Sequence, residues 1–459
     1  MLLVQCGADH EAERRYVVDV VLREFLGLDY DLRLVEGARD VTITSTAGDA
    51  RRLSLADVLF AGGQRLVDAN ALPRLPLPVC PAHVLTGASI VGDLPVLYGG
   101  ARTHGGFVER QADRIELEID LFGGVFAMLT RLEEAVPGER DTHGRFPASE
   151  SLAVRAGFAS RPLVDEYVEV LWWALQRLWP RLERKHRSFA TRPTHDVDWP
   201  FYSRGRPAET LRDAIADVRH RRDRSLALAR VRALAAVLRS GRAADPCNTF
   251  EFLMRTSAAC GVQCAFYFMG GATSPGHDAG YAYDSWLRAL IRDIDRRGHE
   301  LGLHPSYLTY RDADALAQEL AALEKIIADE GVAQEIAGGR QHFLRWENPV
   351  TWRLWDSLGL RYDSTLGYAE TCGFRCGTCH PYPAFDLETR RRLALIERPL
   401  IAMEAALLTY ESKTLEETVE NMRTLKATCR RFEGEFCFLW HNNRLQTAAE
   451  RDAYSRVLD

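Results

Sequence analysis

Thr194-His195-Asp196-Val197-Asp198 sets two carboxylates one residue apart near the middle of a 459-residue chain. On a strand, alternate side chains share a face, so Asp196 and Asp198 project together while His195 turns the other way. Two carboxylates in one pocket either hold a divalent metal together or divide into one ligand and one base. A solvated Asp pair ahead of Trp199-Pro200 is the plainer alternative. What favours chemistry lies downstream, where His304, His342, Asp363 and His441 each fall at or just after the end of a strand-like stretch. One histidine on a strand is usually structural, whereas several at successive strand ends point to a metal site.

Such groups converge only if the elements between them bring the strand ends together. Apolar spacing predicts helices over 250–259, 283–297, 312–329, 351–358 and 413–431. Strands are expected over 264–269, 340–346, 360–365, from 393 onward, and over 436–441. Strands alternating with helices of this length predict a parallel α/β sheet or barrel, whose functional groups gather at the C-terminal strand ends. The N-terminal third reads differently. Helices are expected over 11–26, 121–135 and 163–182, strands over 41–46 and 115–119, and a proline-punctuated connector over 72–80. This gives an α+β accessory domain over 1–188, ahead of the α/β domain at 189–459. Asp141-Thr-His-Gly-Arg-Phe-Pro147 reads as a polar surface loop, with a pocket-lining role as the other reading.

A basic helical insertion occupies about 203–245, crowded with arginines as in Arg219-His-Arg-Arg-Asp-Arg224. It reads as a solvated helical pair, because Asp213, Asp217 and Asp223 interleave with the arginines. The sharper alternative is a patch for an anionic partner. No nucleic-acid motif accompanies it, and no nucleic-acid partner is expected. With 46% hydrophobic and 27% charged residues and a net charge of −6, the composition is that of a soluble globular protein without a global pull toward nucleic acid or membrane surface. The opening residues do not resemble a signal peptide, and no apolar run approaches the roughly 20 residues of a transmembrane helix. A cytoplasmic location is therefore expected, with the ten cysteines mostly reduced thiols.

The motifs, taken in order, resemble a known family. Thr194-His-Asp-Val-Asp198, Phe266-Tyr-Phe268, Gly298-His-Glu-Leu-Gly-Leu-His304, Gly359-Leu-Arg-Tyr-Asp-Ser-Thr365 and Phe438-Leu-Trp-His441 are similar to those of the polysaccharide deacetylases, the NodB-homology group of carbohydrate esterase family 4. The resemblance covers about 190–459, and the whole chain resembles a bacterial subgroup with an uncharacterised N-terminal region. It implies a distorted (β/α) barrel and metal-dependent removal of an acetyl group from an N-acetylated sugar, glycan or glycan precursor, in surface-polysaccharide metabolism. By the same resemblance Asp196 is the general base, Asp198 and His304 are metal ligands, His441 protonates the leaving amine and Arg340 holds the base. The implied metal is Zn²⁺.

One departure matters. The family's second ligand histidine should stand four residues after His304, where this chain has Leu308; His299 is five residues from His304 and does not fit. His342, two residues after Arg340 on the same expected strand face, is the candidate third ligand, with His195 turned away by alternation. Without a third ligand, a catalytically degenerate glycan-binding domain is the alternative. A second rival is Cys372-Gly-Phe-Arg-Cys376-Gly-Thr-Cys379, whose spacing is that of the [4Fe–4S] motif in radical S-adenosylmethionine enzymes and, with His380, could also suit zinc. Its late position favours reduced cysteines in a loop over the pocket.

Overall fold

Two sheets carry the chain, and the computed structural model describes all of it except residues 47, 62, 64, 101–105, 203–206, 220, 221, 223 and 279, with only the backbone of 209, 225 and 226. Arg204 and half of the run 219–224, Asp223 included, thus lie outside the described residues. The first sheet begins with β1 (Leu2–Cys6), β2 (Tyr30–Leu34), β3 (Asp40–Ser45) and β4 (Arg52–Ala56). A small ribbon of β5 (Val79–Cys80) and β6 (Leu94–Pro95) follows, before β7 (Val108–Arg110) and β8 (Arg114–Leu117) return to the sheet. The order is β2-β1-β3-β4-β8-β7, with β1–β2 and β4–β8 parallel and the rest antiparallel. The expected helix over 11–26 forms as Glu11–Asp19 and continues as a wider turn, Val20–Phe25. The helix expected over 121–135 is broken into Leu121–Leu129 and Leu132–Ala135, because Arg131 takes a left-handed backbone (φ 51°).

The second sheet is built from β9 (Ala190–Val197), β10 (Ala265–Phe268), β11 (Glu300–Leu303), β12 (Gly338–Gly339), β13 (Tyr362–Asp363), β14 (Tyr382–Asp386), β15 (Arg391–Glu397), β16 (Ala402–Met403) and β17 (Glu435–Leu439). The ladder order is β14-β15-β13-β12-β11-β10-β9-β17-β16, parallel throughout except for the β14–β15 hairpin at one end. The parallel sheet expected for this half is present, and its ladder runs linearly from β14 to β16. Burial on both faces explains why β10 is a continuous apolar run, Ala-Phe-Tyr-Phe, with every residue buried. Register then aligns the strand ends: Asp196 lies opposite Tyr267, Tyr267 opposite Gly302, Leu303 opposite Gly339 and Leu439 opposite Thr194.

Where a strand was expected over 340–346, β12 is only two glycines long and the chain turns at once into a 3₁₀ turn, His342–Leu344. The glycines are needed for the close approach of neighbouring strands, since a Cβ on Gly339 would sit 1.8 Å from the Leu303 carbonyl oxygen. The insertion forms two helices, Pro207–Arg219 and Arg224–Ser240, in which Asp217 lies 2.6 Å and Asp213 4.0 Å from Arg230.

The two sheets share one apolar core, which runs from Leu2 to Leu458. Tyr16 on the first helix donates from its hydroxyl to the Pro383 carbonyl at 2.7 Å and packs its ring 4.7 Å from that of Phe385. Buried Glu134 receives Arg131 at 2.9 Å from its own side of the seam and Arg375 at 2.9 Å from the other. Among the described residues, no helix is long and apolar enough to cross a membrane.

Candidate functional site

The C-terminal ends of β9, β11, β12 and β17 open into one cavity of about 280 Å³. Asp196 and Asp198 enter it from β9 on the same face, while His195 points to the opposite side and donates from Nδ1 to the Trp440 carbonyl at 2.7 Å. Burial of that imidazole lowers its pKa to about 4. His304 enters from β11, His342 from the turn after β12 and His441 from the residue pair following β17. Arg340 stands behind Asp196, fully buried.

Three donor groups converge. His304 Nε2 lies 3.0 Å and His342 Nε2 3.3 Å from the same oxygen, Asp198 Oδ1, and the ligand atoms of all three residues fall within 4.8 Å of one another. Two donors each about 2.1 Å from one tetrahedral ion would lie about 3.4 Å apart, so this spacing suits a single cation. The tautomers agree. His304 donates from Nδ1 to the Arg340 carbonyl at 2.7 Å, and His342 donates from Nδ1 to Asp278 at 2.9 Å, which leaves both Nε2 lone pairs aimed at the Asp198 oxygen. Two such lone pairs facing a carboxylate repel it unless a proton or a cation lies between them. Burial works to raise the Asp198 pKa, but His342, His304 and His441 outweigh it and hold the carboxyl well below its usual range. His304 is raised, with burial opposing and Asp196 and Asp198 prevailing.

His342 therefore joins the group, though not along the expected strand. Phe343 and Leu344 adopt left-handed backbone (φ 62° and 54°), and that tight turn directs the imidazole inward. Leu308, at the position where the second histidine was expected, is 41% exposed and does not line the cavity.

Beside the three stand two charge pairs. Asp196 accepts from Arg340 Nη1 at 2.9 Å, and Arg340 is fixed further by the Thr194 hydroxyl at 2.8 Å and the Ser364 carbonyl at 2.8 Å. His441 donates from Nδ1 to buried Glu404 at 2.6 Å, while its Nε2 faces Asp198 Oδ2 at 3.6 Å. Burial would lower the His441 pKa, but Glu404, then Asp198 and Asp196, push it up to about 9.

Two contributors carry no signal in the sequence, and a third comes from the stretch whose other reading is a pocket-lining role. Asp278 sits in the loop after β10, where its carboxylate also accepts backbone N–H groups of Thr273, Ser274 and Tyr307 at 2.7 to 2.9 Å; no sequence pattern marks it. Glu404 follows β16 directly and obeys the strand-end rule, but a two-residue strand has no periodicity to reveal it. Arg145, from the stretch read as a surface loop, is buried on the cavity wall, where it donates to the Phe343 carbonyl at 3.0 Å. Its neighbour His143 hydrogen-bonds the Tyr307 hydroxyl at 3.1 Å. The N-terminal region thus supplies part of the wall. Asp363, expected among the strand-end groups, does not line the cavity; it is buried against Thr365, and burial raises its pKa to about 7.

The cysteine motif does not converge. Among the described residues, no group able to hold one ion contains more than one of Cys372, Cys376 and Cys379, and none of them lines the cavity. Cys372 Sγ accepts from the Met403 N–H at 3.3 Å, while Cys379 Sγ lies 3.2 Å from Asp165 at the seam between the sheets. The Cys379 end of the motif belongs to that seam, whereas Cys372 packs behind the cavity wall at Met403. Asp165, Cys379 and His380 do approach one another. Asp165 accepts from the Thr378 hydroxyl at 2.6 Å and the Cys379 N–H at 3.0 Å, and His380 donates from Nε2 to the Phe432 carbonyl at 3.0 Å.

Residues 2–180 match the model of a family of unknown function, DUF7033. No curated protein matches the chain. Among solved structures, the chain is similar to a protein described as a polysaccharide deacetylase from Mycobacterium smegmatis, at 19% identity, covering 61% of this chain and 84% of that one with a TM-score of 0.40. A protein described as a polysaccharide deacetylase from Pseudomonas aeruginosa PAO1 gives 14% identity, 59% and 83% coverage and a TM-score of 0.36. Puue allantoinase gives 11%, 59% and 82%, and 0.35. Function has to be argued from the site itself.

Proposed function

We propose that this chain is a metal-dependent deacetylase that hydrolyses an N-acetyl group on a sugar, glycan or glycan precursor, and that its second sheet belongs to a distorted barrel of the polysaccharide-deacetylase type. The observation that carries the reading is the convergence of His304 and His342 Nε2 on Asp198 Oδ1, flanked by Asp196–Arg340 and His441–Glu404 in one cavity. Asp198, His304 and His342 would hold the divalent ion, for which zinc suits the two-nitrogen, one-oxygen donor set. When bound, it supplies Lewis-acid polarisation of an acyl carbonyl and of water.

The chain's own residues supply the proton transfers. Asp196 is oriented by Arg340 and takes a proton from the attacking water. His441, raised to about 9, carries a proton on Nε2 at neutral pH and delivers it to the departing nitrogen. Glu404 holds the ring from the other side, so the proton sits on the nitrogen that faces the cavity. The amide and one water become an amine and acetate.

Acetate release from N-acetylhexosamine substrates, measured beside bound metal, tests this assignment. Asp196→Asn is expected to lower the rate ~10²–10⁴-fold while keeping the metal, and Asp198→Asn or His304→Ala to lose both. Unchanged turnover in Asp196→Asn would remove the base from the account.

A further inference from the structure

The inserted helical pair presents an apolar surface to solvent. Of the fourteen large hydrophobic residues exposed among the described residues, six lie in it: Leu211, Ile215, Val218, Leu228, Val231 and Leu238. They are not scattered. At 100° per residue, Leu211, Ile215 and Val218 fall within about 60° of one another on the first helix, and Leu228, Val231 and Leu238 within about 80° on the second. Each helix, Pro207–Arg219 and Arg224–Ser240, therefore carries a stripe with no core behind it.

Arginines border both stripes. Arg212 and Arg219 flank the first, Arg232 and Arg239 the second, and all four are exposed. The described acidic side chains face the other way: Asp217 is buried against Arg230 and Asp213 is half-buried beside it, with Glu209 and Asp223 outside the described side chains. Solvation alone therefore does not account for this pair. We infer that it is a membrane-surface element, which lays its apolar stripes into the headgroup boundary of an anionic bilayer while the arginines pair with lipid phosphates. Charge selects this occupant over a second copy of the chain, because two such hairpins would bring like charges together. The pair follows Asp198 in the chain, its first helix beginning at Pro207. Among the described residues no helix is long and apolar enough to span, so the element would lie on the surface.

Co-sedimentation of the full chain with vesicles tests this, comparing phosphatidylcholine alone with phosphatidylcholine containing phosphatidylglycerol. Binding to the anionic vesicles at low salt is expected to exceed binding to the neutral ones at least tenfold and to weaken in 0.5 M NaCl. Leu211→Ser with Val231→Ser, and separately Arg212→Glu with Arg239→Glu, are expected to reduce it at least tenfold with unchanged thermal unfolding. All four positions are exposed, so the fold does not depend on them. Absence of vesicle binding by the wild type, equal binding to both vesicle types, or binding unaffected by both double variants would overturn the inference. So would sedimentation equilibrium showing a dimer that the apolar double variant dissolves.

Discussion

Asp278 and Glu404 each hold a histidine by Nδ1 and so decide what its Nε2 presents to the cavity. For Asp278 the expected consequence is on the metal. Asp278→Ala should weaken zinc binding about 10–100-fold, as loss of an orienting carboxylate does, in a chelator competition. For Glu404 the consequence is on pH. A His raised to about 9 keeps its proton below that value and loses it as pH rises through it, so kcat should fall on the alkaline side near 9. Glu404→Gln removes the charge that opposes burial, and the alkaline limb should move down toward 6.5. A kcat–pH profile whose alkaline limb stays in place would take the proton donor's role from His441.

Strand ends position most of the site, and their length determines what could be read in advance. β9, β11 and β17 are four to eight residues long. The apolar run of β17 puts His441 just past its C-terminal end, and Asp196, Asp198 and His304 lie at or just past the ends of β9 and β11. β12 and β16 are two residues each, too short for a period to register. His342 was consequently assigned to a strand face that does not exist, and Glu404 was not seen at all. At this scale the sensitive point is Gly339, where a methyl group would collide with the Leu303 backbone. Gly339→Ala should cost about 3 kcal/mol in urea unfolding and displace Arg340 from Asp196. Wild-type stability would mean that the β11–β12 approach is looser than described.

At the scale of the molecule, the N-terminal region is not a detachable appendage. It shares the core, contributes Arg145 to the cavity wall, and meets the second sheet through buried charge. The polar density of Asp141–Pro147 hints at the wall, but the contacts themselves were not legible, because they join residues roughly 200 or more positions apart, as with Arg145 and Phe343, and local pattern carries no information at that range. The same distance hid the setting of Cys379, whose spacing suggested a cluster but whose sulfur serves the seam. Glu134 carries the clearest test of that seam. Burial opposes its charge, yet Arg375 and Arg131 keep its carboxyl ionised, its pKa below the usual value. Glu134→Gln leaves two buried guanidiniums short of charge and should destabilise the whole chain by about 3–5 kcal/mol in a single cooperative transition. Two separate transitions would show that the sheets unfold independently. The central claim, that this cavity is a metal-dependent deacetylase site, is tested most directly by following acetate release from N-acetylhexosamine oligomers with protein stripped by chelator and then reloaded. The account predicts no release from the stripped protein and recovery at about one zinc per chain; turnover that survives stripping, or none at full zinc occupancy across such substrates, would contradict it.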